Sequence, residues 1–158
     1  MTDPNAALIQ RFYEAFQRKD ADAMAACYAP DVQFTDPVFG VLRGSEAGDM
    51  WRMLIARASD FSLVFSDIRT SGQIASAKWV ATYRFTQTGR MVVNPIRARF
   101  SIRDGLIAEH RDDFDLWAWS RQALGFKGVL LGWSSLVQNA IRDKATKSLV
   151  AYRQQAKG

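Results

Sequence analysis

Three short turn signals divide the middle of the chain into four segments of strand-like sequence. The turns are Ser71-Gly72, Thr88-Gly89 and Asp104-Gly105. Connections this short join antiparallel neighbours, because a parallel pair needs a crossover of a dozen or more residues. The sequence therefore predicts an antiparallel meander whose strands are Phe61 to Thr70, Ile74 to Thr86, Met91 to Ile102 and Leu106 to Phe114.

The residues before this meander have the spacing of amphipathic helices. Apolar side chains recur every three or four positions from residue 4 to residue 28, and Asp20 or Asp22 is positioned to cap the second helix. A short strand follows at Val32 to Asp36, and a third helix begins with Ser45 as its cap. Because helices and strands are segregated along the chain, we expect an α+β fold, not a parallel α/β sheet.

The C-terminal part is predicted to be helical. A short helix spans about Leu116 to Leu124, a glycine-rich join runs from Gly125 to Gly132, and a long amphipathic helix spans about Ser134 to Gln155. This last helix could cover a pocket mouth, pack on a partner subunit or lie on an anionic membrane surface. Packing is the default expectation, because its apolar stripe would otherwise face water.

Composition indicates one globular domain with an unusual number of aromatic side chains. The 158 residues are 48% hydrophobic and include five Trp and ten Phe, which favours an aromatic-lined interior or a dimer interface. Only one cysteine, Cys27, is present and no signal peptide opens the chain, so the cytoplasm is the expected location. No apolar run approaches the ~20 residues of a membrane span.

The net charge of +5 could attract anionic partners, but a solvated basic surface is the preferred interpretation. Nucleic-acid binding is not expected, because no binding motif accompanies the basic residues. The basic residues that alternate with inward positions on the strands are Lys78, Arg84, Arg97, Arg99 and Arg103.

Several motifs resemble those of the nuclear transport factor 2-like superfamily, which includes ketosteroid isomerases, limonene epoxide hydrolases and SnoaL-like polyketide cyclases. The N-terminal motifs are QRFYEAF at residues 10–16, KDADAM at 19–24, YAPDV at 28–32 and FTDP at 34–37. The segment GLIAEHRDDFDL at residues 105–116 is similar to the last strand of the epoxide hydrolase and SnoaL-like branches.

The resemblance implies a cone-shaped α+β roll, in which a curved antiparallel sheet wraps around N-terminal helices and leaves a pocket open at one end. It covers a domain at residues 1–125, with residues 126–158 as a C-terminal helical extension packed on the same domain. A shared fold of this kind does not by itself establish a reaction.

Three residues are candidate catalytic groups. Asp36 matches the general base of ketosteroid isomerases, and burial in an apolar pocket would raise its pKa. The alternative is a strand-end aspartate that accepts hydrogen bonds from turn amides at residues 38–40. Asp112 matches an aspartate that acts in limonene epoxide hydrolases, and the two-residue period of a strand places His110 on the same face. His110 could instead lie at the pocket rim, bonded to a backbone carbonyl.

The sequence also departs from both enzyme patterns. The oxyanion-hole tyrosine and aspartic acid of ketosteroid isomerases correspond to Phe12 and Ala98, so steroid isomerisation is not expected. The arginine and aspartate that complete the epoxide hydrolase trio correspond to Trp79 and Ala81. Its tyrosine and asparagine water ligands correspond to Phe34 and Asp36.

These features predict a pocket for a small hydrophobic molecule, in a protein that works without a cofactor or metal and forms a homodimer. Its activity would be that of an isomerase, cyclase or hydrolase with acid–base carboxylates; the alternative is a non-catalytic binding or interaction module of the same fold. Core packing is the simpler interpretation of each single aromatic residue. The expected ligand-binding residues are Phe12, Phe16, Phe34, Trp51, Trp79, Tyr83 and Ala98.

Overall fold

The structure, a computed structural model, describes residues 3–156 as six helices and six strands. The helices are α1 (Pro4–Gln17), α2 (Ala21–Ala26), α3 (Ser45–Arg57), α4 (Leu116–Leu124), α5 (Phe126–Leu131) and α6 (Ser135–Ala156). The strands are β1 (Tyr28–Asp36), β2 (Gly40–Arg43), β3 (Ser59–Ser71), β4 (Ile74–Phe85), β5 (Arg90–Arg103) and β6 (Leu106–Asp113). This is the predicted α+β fold, with a curved sheet, N-terminal helices and a C-terminal helix.

All six strands form one sheet, in the order β2-β1-β6-β5-β4-β3. The predicted meander is confirmed, since β3, β4, β5 and β6 pair in succession as antiparallel neighbours. The sheet also has one parallel pair, β1 with β6, so it is mixed and not wholly antiparallel. Turn chemistry could not predict this pair, because about seventy residues separate the two strands and their connection runs through α3 and the meander.

The helices α1 and α3 pack on the concave face of the sheet. Asp3 caps α1 through a 3.0 Å hydrogen bond from the Asn5 amide, and Pro4 occupies the first helical position, where it costs no internal hydrogen bond. The strands β4 and β5 alternate buried and exposed residues along most of their length. Their buried side chains complete the core against the apolar faces of the two helices.

Two local predictions were wrong. Ser45 does not cap α3, because the N-cap is Gly44, which has a positive φ of 57° and makes no side-chain cap. The carboxylate of Glu46, in the first turn of α3, instead accepts a 2.9 Å hydrogen bond from the Arg43 amide. The glycine-rich join predicted at Gly125 to Gly132 contains a helix, α5, whose glycines allow a close approach to α4.

The outer face of the sheet is exposed and basic, as predicted. The five basic strand residues predicted to face outward are all exposed, and Lys78, Arg84 and Arg103 form ion pairs with aspartates on neighbouring segments. Exposed pairs of this kind contribute little to stability. No helix within residues 3–156 is long and apolar enough to cross a membrane.

The helix α6 lies across the open end of the cone. Leu149 is buried, while the Arg142 guanidinium donates to the Pro37 carbonyl over 2.8 Å. Nearer its C-terminus, Arg153 donates to the carboxylate of Asp49 on α3 over 2.9 Å. Of the three expected arrangements for this helix, the structure therefore shows packing on its own domain and cover of the cone mouth.

Candidate functional site

A cavity of about 540 Å³ fills the cone between the sheet, α3, α4 and α6. A volume of this size suits a small organic ligand. Its wall is mostly apolar and carries the two predicted carboxylates, Asp36 at the end of β1 and Asp112 near the end of β6. Several residues of α6 line the same cavity, among them Val137, Ala140 and Ile141.

The parallel pairing of β1 with β6 brings the two carboxylates together. Phe34 pairs with His110 and Thr35 pairs with Arg111, so one further step along both strands places Asp36 beside Asp112. Neighbouring strands lie about 5 Å apart. The alternation of side chains then directs both carboxylates to the same face, that of the cavity. The sequence predicted both residues, but not the strand pairing that makes them neighbours.

Asp36 combines the two interpretations that the sequence left open. Its Oδ1 atom accepts hydrogen bonds from the Val38 amide at 2.9 Å and the Phe39 amide at 2.6 Å, as a turn-capping aspartate does. Its side chain also lines the cavity. Burial is the main cause that raises its pKa from 3.8 to about 7, and the negative charge of Asp112 adds to the effect. The two amide hydrogen bonds oppose the rise without cancelling it.

His110 is buried behind Asp112 and does not lie at the pocket rim. Its Nε2 atom lies 2.9 Å from Oδ1 of Asp112, and its Nδ1 atom lies 2.8 Å from the hydroxyl of Tyr28. The indole of Trp51 donates to the same hydroxyl over 2.8 Å. A buried chain of hydrogen bonds therefore leads from Trp51 to the cavity carboxylate of Asp112.

The donors in this chain select one arrangement of protons for a neutral imidazole. Because the Trp51 indole can only donate, the Tyr28 oxygen accepts from it and the Tyr28 hydroxyl is free to donate to Nδ1 of His110. The proton of His110 then lies on Nε2 and is donated to Asp112. This arrangement fixes the orientation of Asp112 and satisfies the buried ring on both sides.

Aromatic rings enclose His110 on several sides. The centroids of Phe12, Phe34 and Phe100 lie 5.4, 5.0 and 4.4 Å from that of the imidazole, and the Trp51 ring stacks on it at 6.3 Å. His110 is only 1% exposed and does not line the cavity, so Asp112 is the member of this hydrogen-bonded pair that faces the cavity.

The structure places four of the seven expected ligand-binding residues on the cavity wall, namely Phe16, Trp51, Trp79 and Tyr83. The other three, Phe12, Phe34 and Ala98, are buried and do not line the cavity that residues 3–156 form. Phe12 and Phe34 are fully buried and pack around His110, and Ala98 pairs with Asp112 across the strands. Their positions agree with the core-packing interpretation of these residues.

The site contains two further candidate residues that the sequence patterns did not predict. Asn94 lies at an inward position of β5 between the buried residues Val92 and Ile96, and it lines the cavity. A polar residue on an apolar strand face was the available signal. Tyr28 has no such signal, because its spacing predicts the end of an apolar helix face, whereas the structure places it at the start of β1 and its partner His110 is 82 positions away.

Polar groups other than the two carboxylates also face the cavity. The Tyr83 hydroxyl accepts a 2.6 Å hydrogen bond from the Trp119 indole, which leaves its own proton free for a ligand. Burial raises the pKa of Tyr83, so this hydroxyl keeps its proton at neutral pH. Lys144 of α6 and Arg57 of α3 are among the basic residues on the wall.

The described part of the chain contains no group of three or more His, Cys, Asp and Glu residues that could hold a metal ion. Cys27 is a buried free thiol whose pKa is raised by burial, and it does not line the cavity. The donor groups of the site are those of hydrogen bonding and proton transfer.

Comparison with known proteins agrees with this architecture. The sequence model of the SnoaL-like domain matches residues 9–110, more than half of the chain, and the chain therefore belongs to the SnoaL-like domain family. The match ends within β6, two residues before Asp112, and does not include α4, α5 or α6. A search of curated proteins found no match.

Solved structures share the fold over most of the chain. A putative polyketide cyclase from Xanthomonas campestris pv. campestris is 28% identical, with a TM-score of 0.64 over 75% of this chain and 96% of its own. TsrD from Streptomyces laurentii is 27% identical, with a TM-score of 0.66 over 79% and 98%. An LEH-like epoxide hydrolase from M. tuberculosis is 23% identical, with a TM-score of 0.64 over 85% and 95%.

Proposed function

We propose that this protein binds a small hydrophobic carbonyl or epoxide compound in the cone and acts on it by acid–base chemistry, as a cofactor-independent isomerase, cyclase or hydrolase. The observation that carries the proposal is the pair of neighbouring carboxylates, Asp36 and Asp112, on the wall of one apolar cavity. Two acids in different environments are the arrangement by which one site supplies both a proton donor and a proton acceptor.

The surroundings of the two carboxylates support separate roles. Burial raises the pKa of Asp36 to about 7, so this carboxyl can hold and donate a proton near neutral pH. Asp112 accepts a hydrogen bond from His110 and supplies the negative charge that helps keep Asp36 protonated. In each residue the bonds within residues 3–156 are made by Oδ1, which leaves Oδ2 available to a ligand.

For a carbonyl ligand the two roles give a balanced step. An oxygen of Asp112 removes a proton from the carbon next to the carbonyl, and Asp36 donates its proton to the carbonyl oxygen, so that an enol forms. Return of a proton to a different carbon gives an isomer, and attack of the enol carbon on a second carbonyl closes a ring. The Tyr83 hydroxyl and the Asn94 amide are positioned on the same wall to orient the polar end of the ligand.

The apolar wall supports the choice of ligand class. Phe16, Trp51, Trp79 and Tyr83 present aromatic faces and edges that favour a flat, hydrophobic molecule. The similar structure from X. campestris is described as a putative polyketide cyclase, which agrees with a ring-forming or carbonyl chemistry. A cytoplasmic location, supported by the single cysteine, and a homodimeric state, supported by the aromatic-rich composition, are part of the same proposal.

A non-catalytic binding protein is the second candidate. It is favoured by the two amide hydrogen bonds that already occupy Oδ1 of Asp36, and by Phe12 and Ala98 at the positions of an oxyanion hole. In this case the cavity would hold an apolar ligand and Asp36 would serve the turn alone.

Hydrogen–deuterium exchange of 2-tetralone, a hydrophobic aromatic ketone, tests the proposal without requiring the natural substrate. In deuterated buffer, exchange next to the carbonyl is followed by NMR, and binding is followed by tryptophan fluorescence. We expect the protein to accelerate exchange, and Asp112→Asn to reduce the acceleration about 100-fold, the usual size of a general-base effect, with little change in binding. Asp113→Asn is the matched control, because this neighbouring carboxylate is exposed and pairs with Arg111.

Binding of the ketone with an exchange rate that both Asp36→Asn and Asp112→Asn leave unchanged would favour the non-catalytic protein. Failure to bind any hydrophobic ketone or epoxide would contradict both candidates.

A further inference from the structure

The helix α5 presents an apolar surface that nothing in the described part of the chain covers. Phe126, Val129 and Leu130 project from α5, and Trp133 lies in the turn that follows it. Phe126 is 77% exposed and Trp133 is 66% exposed. Large aromatic side chains are rarely left in water to this extent without a binding role. We call these four residues, together with the 80% exposed Leu136 at the start of α6, the α5 patch.

The outward orientation of the α5 patch follows from the glycines on the other side of the helix. A Cβ atom at Gly128 would lie 1.9 Å from the Ser120 carbonyl oxygen, and one at Gly132 would lie 2.6 Å from the Ser120 Cβ. These two glycines therefore form the face that packs against α4. At about 100° per residue, Phe126, Val129 and Leu130 are centred about 130° away from that face. The packing of the two glycines on α4 therefore sets the orientation of α5 and directs its apolar side chains toward the solvent.

The chain segment that carries the α5 patch contains only basic charges. From residue 116 to residue 142 the chain contains Arg121, Lys127 and Arg142 and no aspartate or glutamate. Lys127 lies within α5, and the Arg121 guanidinium stacks on the partly exposed ring of Trp117 at 4.5 Å. Exposed tryptophan and phenylalanine with basic neighbours form the pattern of segments that insert into the interface of an anionic bilayer.

The size of the α5 patch disfavours a second copy of the chain as its partner. The five side chains of the α5 patch together expose on the order of 500 Å², since a large aromatic side chain contributes about 150–250 Å² when it is fully exposed. Stable protein interfaces bury about 800 Å² on each partner and need a flat, complementary surface. A short, convex helix with aromatic side chains at its tip fits insertion between lipid head groups, where no matching surface is required.

We propose that the α5 patch docks this protein on the surface of a membrane that contains anionic lipids. The aromatic and aliphatic side chains of the patch enter the head-group region, and Lys127 and Arg121 lie beside lipid phosphates. The patch also adjoins the cavity, since Leu124 before it and Val137 after it both line the cavity wall. The docking itself does not depend on any activity of the cavity.

Flotation with lipid vesicles tests this proposal on the intact chain in the absence of ligand. We expect the protein to float with vesicles of phosphatidylcholine and phosphatidylglycerol, and to do so much less with phosphatidylcholine alone. Phe126→Ser combined with Trp133→Ser should lower partitioning about tenfold or more. Lys127→Glu should lower it at least about fivefold on the anionic vesicles.

The matched control is the double variant Val64→Ser with Ile74→Ser, which removes two exposed apolar side chains from the outer face of the sheet instead. Circular dichroism checks that each variant is folded. Absence of vesicle binding by the unmodified protein, or an equal loss in the control, would overturn the proposal. Analytical ultracentrifugation tests the alternative that the α5 patch binds a second copy of the chain. Self-association that is lost in Phe126→Ser, in a protein that does not bind vesicles, would support that alternative and overturn the proposal.

Discussion

Replacement of Asp36 by asparagine should make the protein more stable at alkaline pH. Asparagine has nearly the same shape, and its Oδ1 atom can accept the amide hydrogen bonds that Val38 and Phe39 donate to Asp36. The substitution removes only the ability to ionise. The difference in unfolding free energy between the variant and the original protein therefore reports how unfavourable the Asp36 charge is in the folded state.

The expected size of this effect follows from the pKa of Asp36. Its pKa is about 7 in the folded protein and 3.8 when unperturbed. At about 1.36 kcal/mol per pKa unit, this difference corresponds to about 4 kcal/mol. Because Asp36 keeps some exposure to water, solvent screening reduces the figure, and we expect about 2 kcal/mol.

The sign follows from the direction of the pKa change. Since the folded-state pKa is raised, the protonated carboxyl favours folding, and this contribution is complete below pH 3.8. It is lost as the pH rises toward 7 and is absent above pH 7. The Asp36→Asn variant lacks this loss, so its advantage in stability should grow between about pH 4 and pH 7 and then remain constant.

Guanidinium-induced unfolding, followed by tryptophan fluorescence at a series of pH values, measures the difference directly. Asp20→Asn is the matched control, because Asp20 also accepts a backbone amide hydrogen bond, at the exposed N-cap of α2. The free energy of unfolding of Asp20→Asn should not rise relative to that of the original protein between about pH 5 and pH 8. Parallel curves for Asp36→Asn and the original protein over this range would show that the folded state does not disfavour the Asp36 charge, and would remove the basis for its role as an acid.

Two further substitutions test the interior. Tyr28→Phe removes the hydroxyl between Trp51 and His110, so two buried nitrogens lose a hydrogen-bond partner. The free energy of unfolding should fall by about 2–4 kcal/mol. A fall of less than about 0.5 kcal/mol would contradict the buried hydrogen bonds described above. Gly128→Ala places a methyl group against the carbonyl of Ser120. The substitution should lower the free energy of unfolding by about 2 kcal/mol or more and should speed amide hydrogen exchange in α5. Unchanged exchange would contradict the close packing of α4 and α5.

Local patterns predicted most of the secondary structure because local forces determine it. The alternation of β4 and β5, the glycine turns and the cap at Asp20 all depend on neighbouring residues, and each was correct. The errors fell where a tertiary contact decides the outcome. A glycine-rich sequence such as residues 125–132 favours a loop in isolation, but close packing on Ser120 makes the same glycines useful within a helix.

The candidate site shows the same division between local and tertiary information. Asp36 and Asp112 could be selected from motif and strand period, because each is marked on its own strand. The sequence could not predict that the two residues are neighbours, since this depends on the parallel pairing of β1 with β6. Tyr28 could not be selected either, because only the folded chain brings its hydroxyl to His110.

The structural role of Asp36 and the chemical role proposed for it do not compete, because they use different oxygens. Oδ1 holds the turn that leads from β1 into β2, and Oδ2 makes no hydrogen bond within residues 3–156. Burial by itself would raise the pKa of Asp36 further than is found. The hydrogen bonds from the two amides lower the pKa to about 7, where the carboxyl can both hold and release a proton. The turn therefore both positions Asp36 and lowers the pKa of its carboxyl, and it leaves Oδ2 open for the proposed proton transfer.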